Sequence, residues 1–331
     1  MKKVIAESLA SIADYQLTET GRPTPGEGEL LIRIAACGLG YVDSLVALGR
    51  YQVKPTLPHT PGREVAGRIV AVGGGIDPSR EGERVMATVN GGLAEYALAP
   101  QAEVRRIPDA MTFAEAAGFR INYLTALHGL VDRAALQPGE TVVVFGAAGG
   151  LGAAGVQVAK LLGARVVAVA SSEEKRAFCQ GLGTDEVLDT EPDGWRDRLR
   201  AACGGMAPDV VFDPVCGPLF EPAFRSLHWR GRHLVLGFTG GPIPSLRGNL
   251  PLMKGAGLIG VDVRQFLQLE EQRGQAHLAQ LLSWVDDGRL QPPVGRAFPL
   301  EAFAEALEFA LSGAGLGKTV VKIADLESAD L

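Results

Sequence analysis

One stretch limits the possible folds more than any other: TVVVFGAAGGLGAAGVQVAK, residues 141–160, where an apolar run meets a glycine-rich turn and then an apolar helix pattern. A strand that is apolar at every position is buried on both faces, so its sheet is parallel and covered by helices. The same alternation continues with the helix pattern LGAAGVQVAKLLG, strand RVVAVA, helix SEEKRAFCQGLG and strands DVVFD and HLVLG. This predicts a doubly wound parallel sheet. The region from 28 to 106 is of another kind. Its short Val-, Ile- and Ala-rich runs (ELLIRIAAC, EVAGRIVAVG, ERVMATV, AEYALAP) are separated by Gly/Pro clusters, as in an all-β unit. After Pro108 a helical period begins, with Thr112 as N-cap and Glu115 three residues on. The segment from 264, with HLAQLLSWVDDGRL, EAFAEALEFAL and KTVVKI, reads as a return to the first domain. The chain is therefore expected to be α/β, with a mostly-β domain over 1–122, a doubly wound domain over 123–263, and 264–331 completing the first.

The glycine turn has a chemical reason. Ala147, Gly149 and Gly152 stand in an AxGxxG spacing between strand and helix. Small residues let the backbone approach a pyrophosphate, which then meets free N–H groups and the positive end of a helix opening near Gly150 and Leu151. About twenty residues on, a cofactor with a free ribose 2′-hydroxyl would meet an Asp or Glu at the end of the second strand. Here Ser171 and Ser172 stand there, with Lys175 and Arg176 following. This set can hydrogen-bond and neutralise a 2′-phosphate, so NADP(H) is the expected cofactor. The competing interpretation makes Ser171 and Glu174 a capping box and leaves Lys175 and Arg176 on a solvated helix face. The strand-end loops DPVCG (213–217) and GFTGG (237–241) fall where such a sheet binds its ligand, so Cys216, Gly237 and Phe238 are expected to line the nicotinamide. No base is paired with Cys216 in sequence, which argues against a nucleophile.

The 331 residues are 47% hydrophobic and 21% charged with a net charge of -6, a globular composition that offers nothing to nucleic acid or an anionic membrane. No run reaches the roughly 18 uninterrupted apolar residues of a membrane span, and the start MKKVIAESLASIADYQL lacks a continuous apolar core. A cytoplasmic protein is expected. Cys37, Cys179, Cys203 and Cys216 lie far apart without CxxC spacing, unlike a disulfide framework or a closed zinc site.

Taken together, AACGLGYVDSLVALGRY, LPHTPGREVAGRIVAVG, INYLTALHGL, the AAGGLG turn and GRHLVLGF resemble the medium-chain dehydrogenase/reductase superfamily, and within it the zinc-free, zeta-crystallin-like quinone oxidoreductases. The resemblance implies that the first domain is GroES-like and the second a Rossmann domain. In zinc-dependent members a metal-binding Cys stands at the position of Gly40, a His at that of Arg63, and a third ligand where Ile121 falls. Where a four-Cys lobe would lie, between ERVMATV and AEYALAP, this chain has NGGL. Every donor a tetrahedral zinc site would need is replaced, so no metal is expected. In those relatives an Asp matching Asp43 orients the metal-binding His. Arg63 is accordingly expected to pair with Asp43, the alternatives being Glu64 or water, and His59 to satisfy a turn.

Without a metal to polarise a carbonyl, simple alcohol oxidation loses its Lewis acid. Hydride delivery to a quinone or to the β-carbon of a conjugated enone needs only a few oriented hydrogen-bond donors. Candidate catalytic residues are Tyr41, Tyr51, Asn122 and Arg63, while Thr125 contacts the nicotinamide or serves only its helix. Similar quinone oxidoreductases commonly carry Asn at Gly40 and Tyr at Leu45, so the pocket departs from the pattern there. Two other readings stand beside this one. An enoyl thioester reductase would use a basic residue such as Arg120, and a cofactor-binding structural or RNA-binding protein would need no turnover. The apolar strand in LPLMKGAGLIGV implies, by resemblance, pairing across a two-fold axis in a homodimer.

Overall fold

The computed structural model describes residues 1–327, so the last four residues of the predicted return segment lie outside it. Fifteen strands are present among the described residues. The first seven are β1 (Lys2–Ile5), β2 (Gln16–Glu19), β3 (Glu29–Leu39), β4 (Glu64–Val72), β5 (Arg84–Thr88), β6 (Tyr96–Pro100) and β7 (Val104–Arg106). Six follow in alternation with helices: β8 (Thr141–Phe145), β9 (Arg165–Val169), β10 (Glu186–Leu188), β11 (Val210–Asp213), β12 (Arg232–Val235) and β13 (Gly257–Gly260). The last two are β14 (Val294–Pro299) and β15 (Lys318–Lys322). The chain divides into two compact units, one of Met1–Arg120 with Val285–Leu331 and one of Ile121–Trp284.

In the first unit a seven-stranded sheet runs β14-β15-β3-β4-β5-β7, with β6 also on β3. The long strand β3 makes this possible. One edge pairs with β4 throughout, while the other pairs with β6 over Glu29–Arg33 and with β15 over Ala36–Leu39. A register shift between Ile34 and Ala36 marks the change of partner. The core beneath is aliphatic, including Leu30, Ile32, Ile34, Val65, Ile69, Val85 and Val321.

The second unit is a six-stranded, all-parallel sheet in the order β10-β9-β8-β11-β12-β13. Numbered within the unit this is 3-2-1-4-5-6, the order of dinucleotide-binding sheets, and it reverses direction between β8 and β11. Every residue of β8 is buried, as its unbroken apolar run requires. The Thr112 cap forms as read, with its hydroxyl accepting from Glu115 N–H at 3.2 Å. The helical stretch beyond it is broken, however, into Phe113–Ala116, Arg120–Leu127 and a π-helical turn over His128–Arg133.

The division differs from the predicted one at its second boundary. The helices Val263–Leu269 and Glu271–Asp286 do not begin the return; residues up to Trp284 stay with the parallel sheet. Asp132 on the π-helical turn holds them, because its carboxylate meets His277 Nε2 at 2.8 Å, His128 Nδ1 at 2.7 Å and Arg273 Nη2 at 2.5 Å. The Phe266 ring stacks on His128 with centroids 3.9 Å apart. Three side chains, His128 from the same turn and Arg273 and His277 from the helix at 271–286, thus close around one buried carboxylate. The amphipathic pattern alone did not say which domain that helix face meets.

Candidate active site

The phosphate cradle begins where β8 ends. Gly146 turns the chain at φ +57, a left-handed conformation that favours glycine, and its carbonyl accepts Gly149 N–H at 2.9 Å. The helix Gly150–Leu161 starts at once, with Gly149 as a cap that brings no side-chain acceptor. The first-turn N–H groups of Gly150, Leu151 and Gly152 therefore point outward as donors, beside the positive end of the helix. A Cβ on Gly152 would lie 2.1 Å from the Gly146 carbonyl oxygen, so helix and turn can meet this closely only with glycine there. Ala147 is fully buried in the turn, and its N–H reaches back to the Val169 carbonyl of β9 at 3.3 Å. This cradle, with no side chain in the way of an anion, fits the pyrophosphate of a dinucleotide.

Ser171 and Ser172 follow β9 and are exposed. The cap of the helix Glu173–Gly181 is Ser172 rather than Ser171: Ser172 Oγ accepts Lys175 N–H at 3.2 Å. The Ser171–Glu174 capping box is thereby replaced, since the helix starts one residue later than that spacing requires. Capping uses only a lone pair of Ser172, and its O–H stays available to donate. Arg176 instead reaches back to the Ala170 carbonyl at 3.2 Å, while Lys175 is half-buried.

The loops after β11 and β12 are joined. Val215 carbonyl accepts Gly240 N–H at 2.8 Å, and a Cβ on Gly237 would approach the Pro214 carbonyl to 3.0 Å. Cys216 is buried at φ +46, and burial and Asp213 push its thiol up, away from the thiolate form. Phe238 is exposed. Thr125 is buried, and its hydroxyl donates to its own helix at the Ile121 carbonyl, 2.6 Å away, which leaves it only acceptor capacity. Asn122 is half-buried on the same helix.

In the first unit, Gly40 caps the short helix Tyr41–Ala47, and Asp43 Oδ2 accepts Gly40 N–H at 2.8 Å. The expected Asp43–Arg63 pair is not formed. Arg63 is exposed just before β4 and adds only a minor pull on the Asp43 carboxyl. The cation that enters is Lys318, from the start of β15, whose Nζ lies 2.9 Å from Glu64 Oε2 with both side chains buried. A Cβ on Gly40 would lie 3.6 Å from Lys318 Nζ and 3.6 Å from Asp43 Oδ2. The ammonium thus stands against the position where zinc-dependent relatives carry a metal-binding Cys. Burial pulls the lysine down, but Glu64 and Asp43 more than offset it and hold it protonated. Burial pushes the Asp43 carboxyl up, against the pull of Lys318.

Among the described residues no group of three or more His, Cys, Asp or Glu is arranged to hold a metal ion. Gly40, Arg63 and Ile121 carry no metal-binding atom, so the residues at these three positions do not fit a zinc ion. Cys37 Sγ is committed elsewhere, filling the space between the turns at Gly62 and Gly92, where a Cβ would come within 2.5 and 2.9 Å of it. His59 serves the core, its Nδ1 2.7 Å from Tyr15 Oη. Tyr41 and Tyr51 are half-buried, and within the described residues their hydroxyls have no protein partner. Arg120 Nη1 donates to Thr88 Oγ1 at 2.8 Å and to Glu103 Oε2 at 2.6 Å.

Residues 26–109 match the family model of the alcohol dehydrogenase GroES-like domain, and 150–284 that of the zinc-binding dehydrogenases. The quinone oxidoreductase of Homo sapiens is 33% identical over 302 residues, 90% of this chain and 90% of the human protein. The quinone oxidoreductase-like protein 2 homolog of Nematostella vectensis is 32% identical over 300 residues, 89% of this chain and 82% of its own. The quinone oxidoreductase of Thermus thermophilus, solved also as its complex with NADPH, superposes with a TM-score of 0.84 at 32% identity, covering 97% of this chain and all of that one (100%).

Proposed function

Because the chain belongs to the quinone oxidoreductase group of the medium-chain dehydrogenase/reductase superfamily, we propose that it is an NADPH-dependent oxidoreductase passing hydride, without zinc, to a quinone or an α,β-unsaturated carbonyl. The observation that carries the zinc-free part is Lys318: an internal ammonium faces Asp43 and Glu64 beside a glycine, where a metal site would need a thiolate. NADPH is favoured because Ser171 and Ser172 replace the acid that would repel a 2′-phosphate, and the Ser172 O–H remains free to donate.

When bound, the cofactor supplies a hydride from its nicotinamide ring. The chain's part is to hold and to stabilise charge. Gly150, Leu151 and Gly152 would offer N–H groups to the pyrophosphate, and to the 2′-phosphate Ser171 and Ser172 their hydroxyls and Lys175 its ammonium. The loops at 213–217 and 237–241 would line the nicotinamide with backbone, Cys216 contributing its main chain only. Tyr41 and Tyr51 offer unspent hydroxyls to an acceptor oxygen that gains negative charge, and Asn122 an amide.

A homodimer through β13 is part of the reading. It is the free edge of the six-stranded sheet, and Leu252, Met253 and Leu258 near it are exposed apolar side chains. The four cysteines are buried and unpaired, which accords with a reducing, cytoplasmic setting.

The test is steady-state oxidation of NADPH and NADH against a panel of quinones, enones and enoyl-CoA esters, with zinc content measured in parallel. Turnover of a quinone or enone with NADPH preferred, and no stoichiometric zinc, is expected. Tight NADPH binding with no acceptor turned over, or activity that tracks added zinc, refutes it.

A further inference from the structure

A buried polar pair lies under the loops that follow β11 and β12. Asp213, the last residue of β11, is buried and accepts two N–H groups at Oδ1, from Val215 at 2.9 Å and Cys216 at 2.8 Å. Its Oδ2 lies 3.1 Å from Nε2 of His233, which is itself fully buried in the neighbouring strand β12. Phe220 and Phe224 flank the imidazole, with centroids 4.7 and 6.2 Å away. His233 Nδ1 has no hydrogen-bond partner among the described residues, so the ring's one polar contact is the Asp213 carboxylate.

Such a pair is costly. An apolar residue would suit a strand whose other side chains, in HLVLG, are aliphatic, and burying polar groups there costs free energy that only their hydrogen bonds offset. What the pair does hold is a strained backbone. Cys216 sits at φ +46, a conformation an L-residue keeps only when its surroundings impose it, and the two N–H bonds to Asp213 impose it here. That shape carries over to the second loop, since the Val215 carbonyl accepts Gly240 N–H at 2.8 Å and the Pro214 carbonyl accepts Thr239 N–H at 3.4 Å and its Oγ1 at 3.3 Å. A Cβ on Gly240 would come within 2.7 Å of Gly217 Cα, so the two loops meet as bare backbone.

We infer that His233 and Asp213 are positioning residues for the nicotinamide half of the cofactor. His233 fixes the Asp213 carboxylate, the carboxylate fixes the 214–217 turn, and that turn fixes the 237–240 loop. Neither side chain touches the ligand. The inference rests on the reading of these loops as the nicotinamide's seat, and the experiment separates the two. His233→Phe matches the neighbouring rings but donates nothing, His233→Gln keeps an N–H donor, and Asp213→Asn removes the charge. For each, calorimetry measures the affinity for NADPH and for 2′-phospho-ADP-ribose, which has the adenosine half but no nicotinamide, and kcat and KM are taken with 1,4-naphthoquinone.

His233→Phe and Asp213→Asn are expected to weaken NADPH about tenfold and lower kcat, while 2′-phospho-ADP-ribose stays within about twofold of wild type. His233→Gln should recover part of the loss. If His233→Phe does not fold, His233→Gln against Asp213→Asn gives the same comparison. Equal losses for both ligands, or none for either, overturn the positioning role while the cofactor reading stands. A wild-type chain that binds neither ligand overturns the cofactor reading and this inference with it.

Discussion

Replacing Lys318 with Met removes the ammonium that faces Glu64 at 2.9 Å and keeps nearly the same volume. The two side chains are only 11% and 9% exposed, so little water can take its place. Breaking a buried pair by deleting one partner costs about 3–5 kcal/mol. For a unit of this size about 2–4 °C is lost per kcal/mol, so the melting temperature should fall by roughly 6–20 °C. The loss should also depend on pH, with a definite sign. Burial already pushes the Asp43 carboxyl up, and without the pull of the ammonium it is easier still to protonate in the folded variant than in its unfolded chain, so acid relieves the variant. In the wild type the lysine is held above its ordinary value, so its contribution is complete below that value and fades only in strong alkali. The gap between wild type and variant should therefore be widest at about pH 8 and narrow toward about pH 5. Calorimetric melts of both proteins across that range provide the measurement, and Lys318→Met/Glu64→Gln should regain part of the loss. A deficit below about 1 kcal/mol, or one that grows in acid, would refute the reasoning, since solvent would then be doing the work assigned to Lys318.

Ser172→Asp keeps a helix cap, so stability should hold, but it sets a carboxylate where the 2′-phosphate is received; the ratio of kcat/KM for NADPH over NADH should fall at least about tenfold. Gly152→Ala places a Cβ 2.1 Å from the Gly146 carbonyl oxygen. Calorimetry should find dinucleotide affinity largely lost, with about 1–3 kcal/mol of stability. Arg63→Ala, at an exposed side chain, should change stability by under about 0.5 kcal/mol in denaturant melts. A larger loss would restore an ion-pair role for Arg63.

What could be read from the sequence was local. The run at 141–145 is a strand over those same residues, because burial on both faces leaves no period to misread. The glycine turn and its helix follow from neighbours within a dozen positions. Lys318 stayed hidden because its partner Glu64 is 254 residues away. Read alone, KTVVKI is simply an apolar strand with a basic start. Arg63 misled because it adjoins Glu64, yet only Glu64 enters the strand and turns inward. His233 sits in a strand that reads as aliphatic core, and nothing nearby announces Asp213, twenty residues earlier. The helix at 271–286 showed its apolar face but not its target, for Asp132 lies far upstream of His277.

Strand β15 also orders events in time. A ribosome releases the parallel-sheet unit, 121–284, as one uninterrupted length that has all its own strands. The β-rich unit has no such autonomy, because half of one edge of β3 and the counter-charge for Glu64 arrive only with residues 318–322. A nascent chain arrested before that point holds one finished sheet and one open sheet, whose acidic residues remain hydrated until the last strand closes over them.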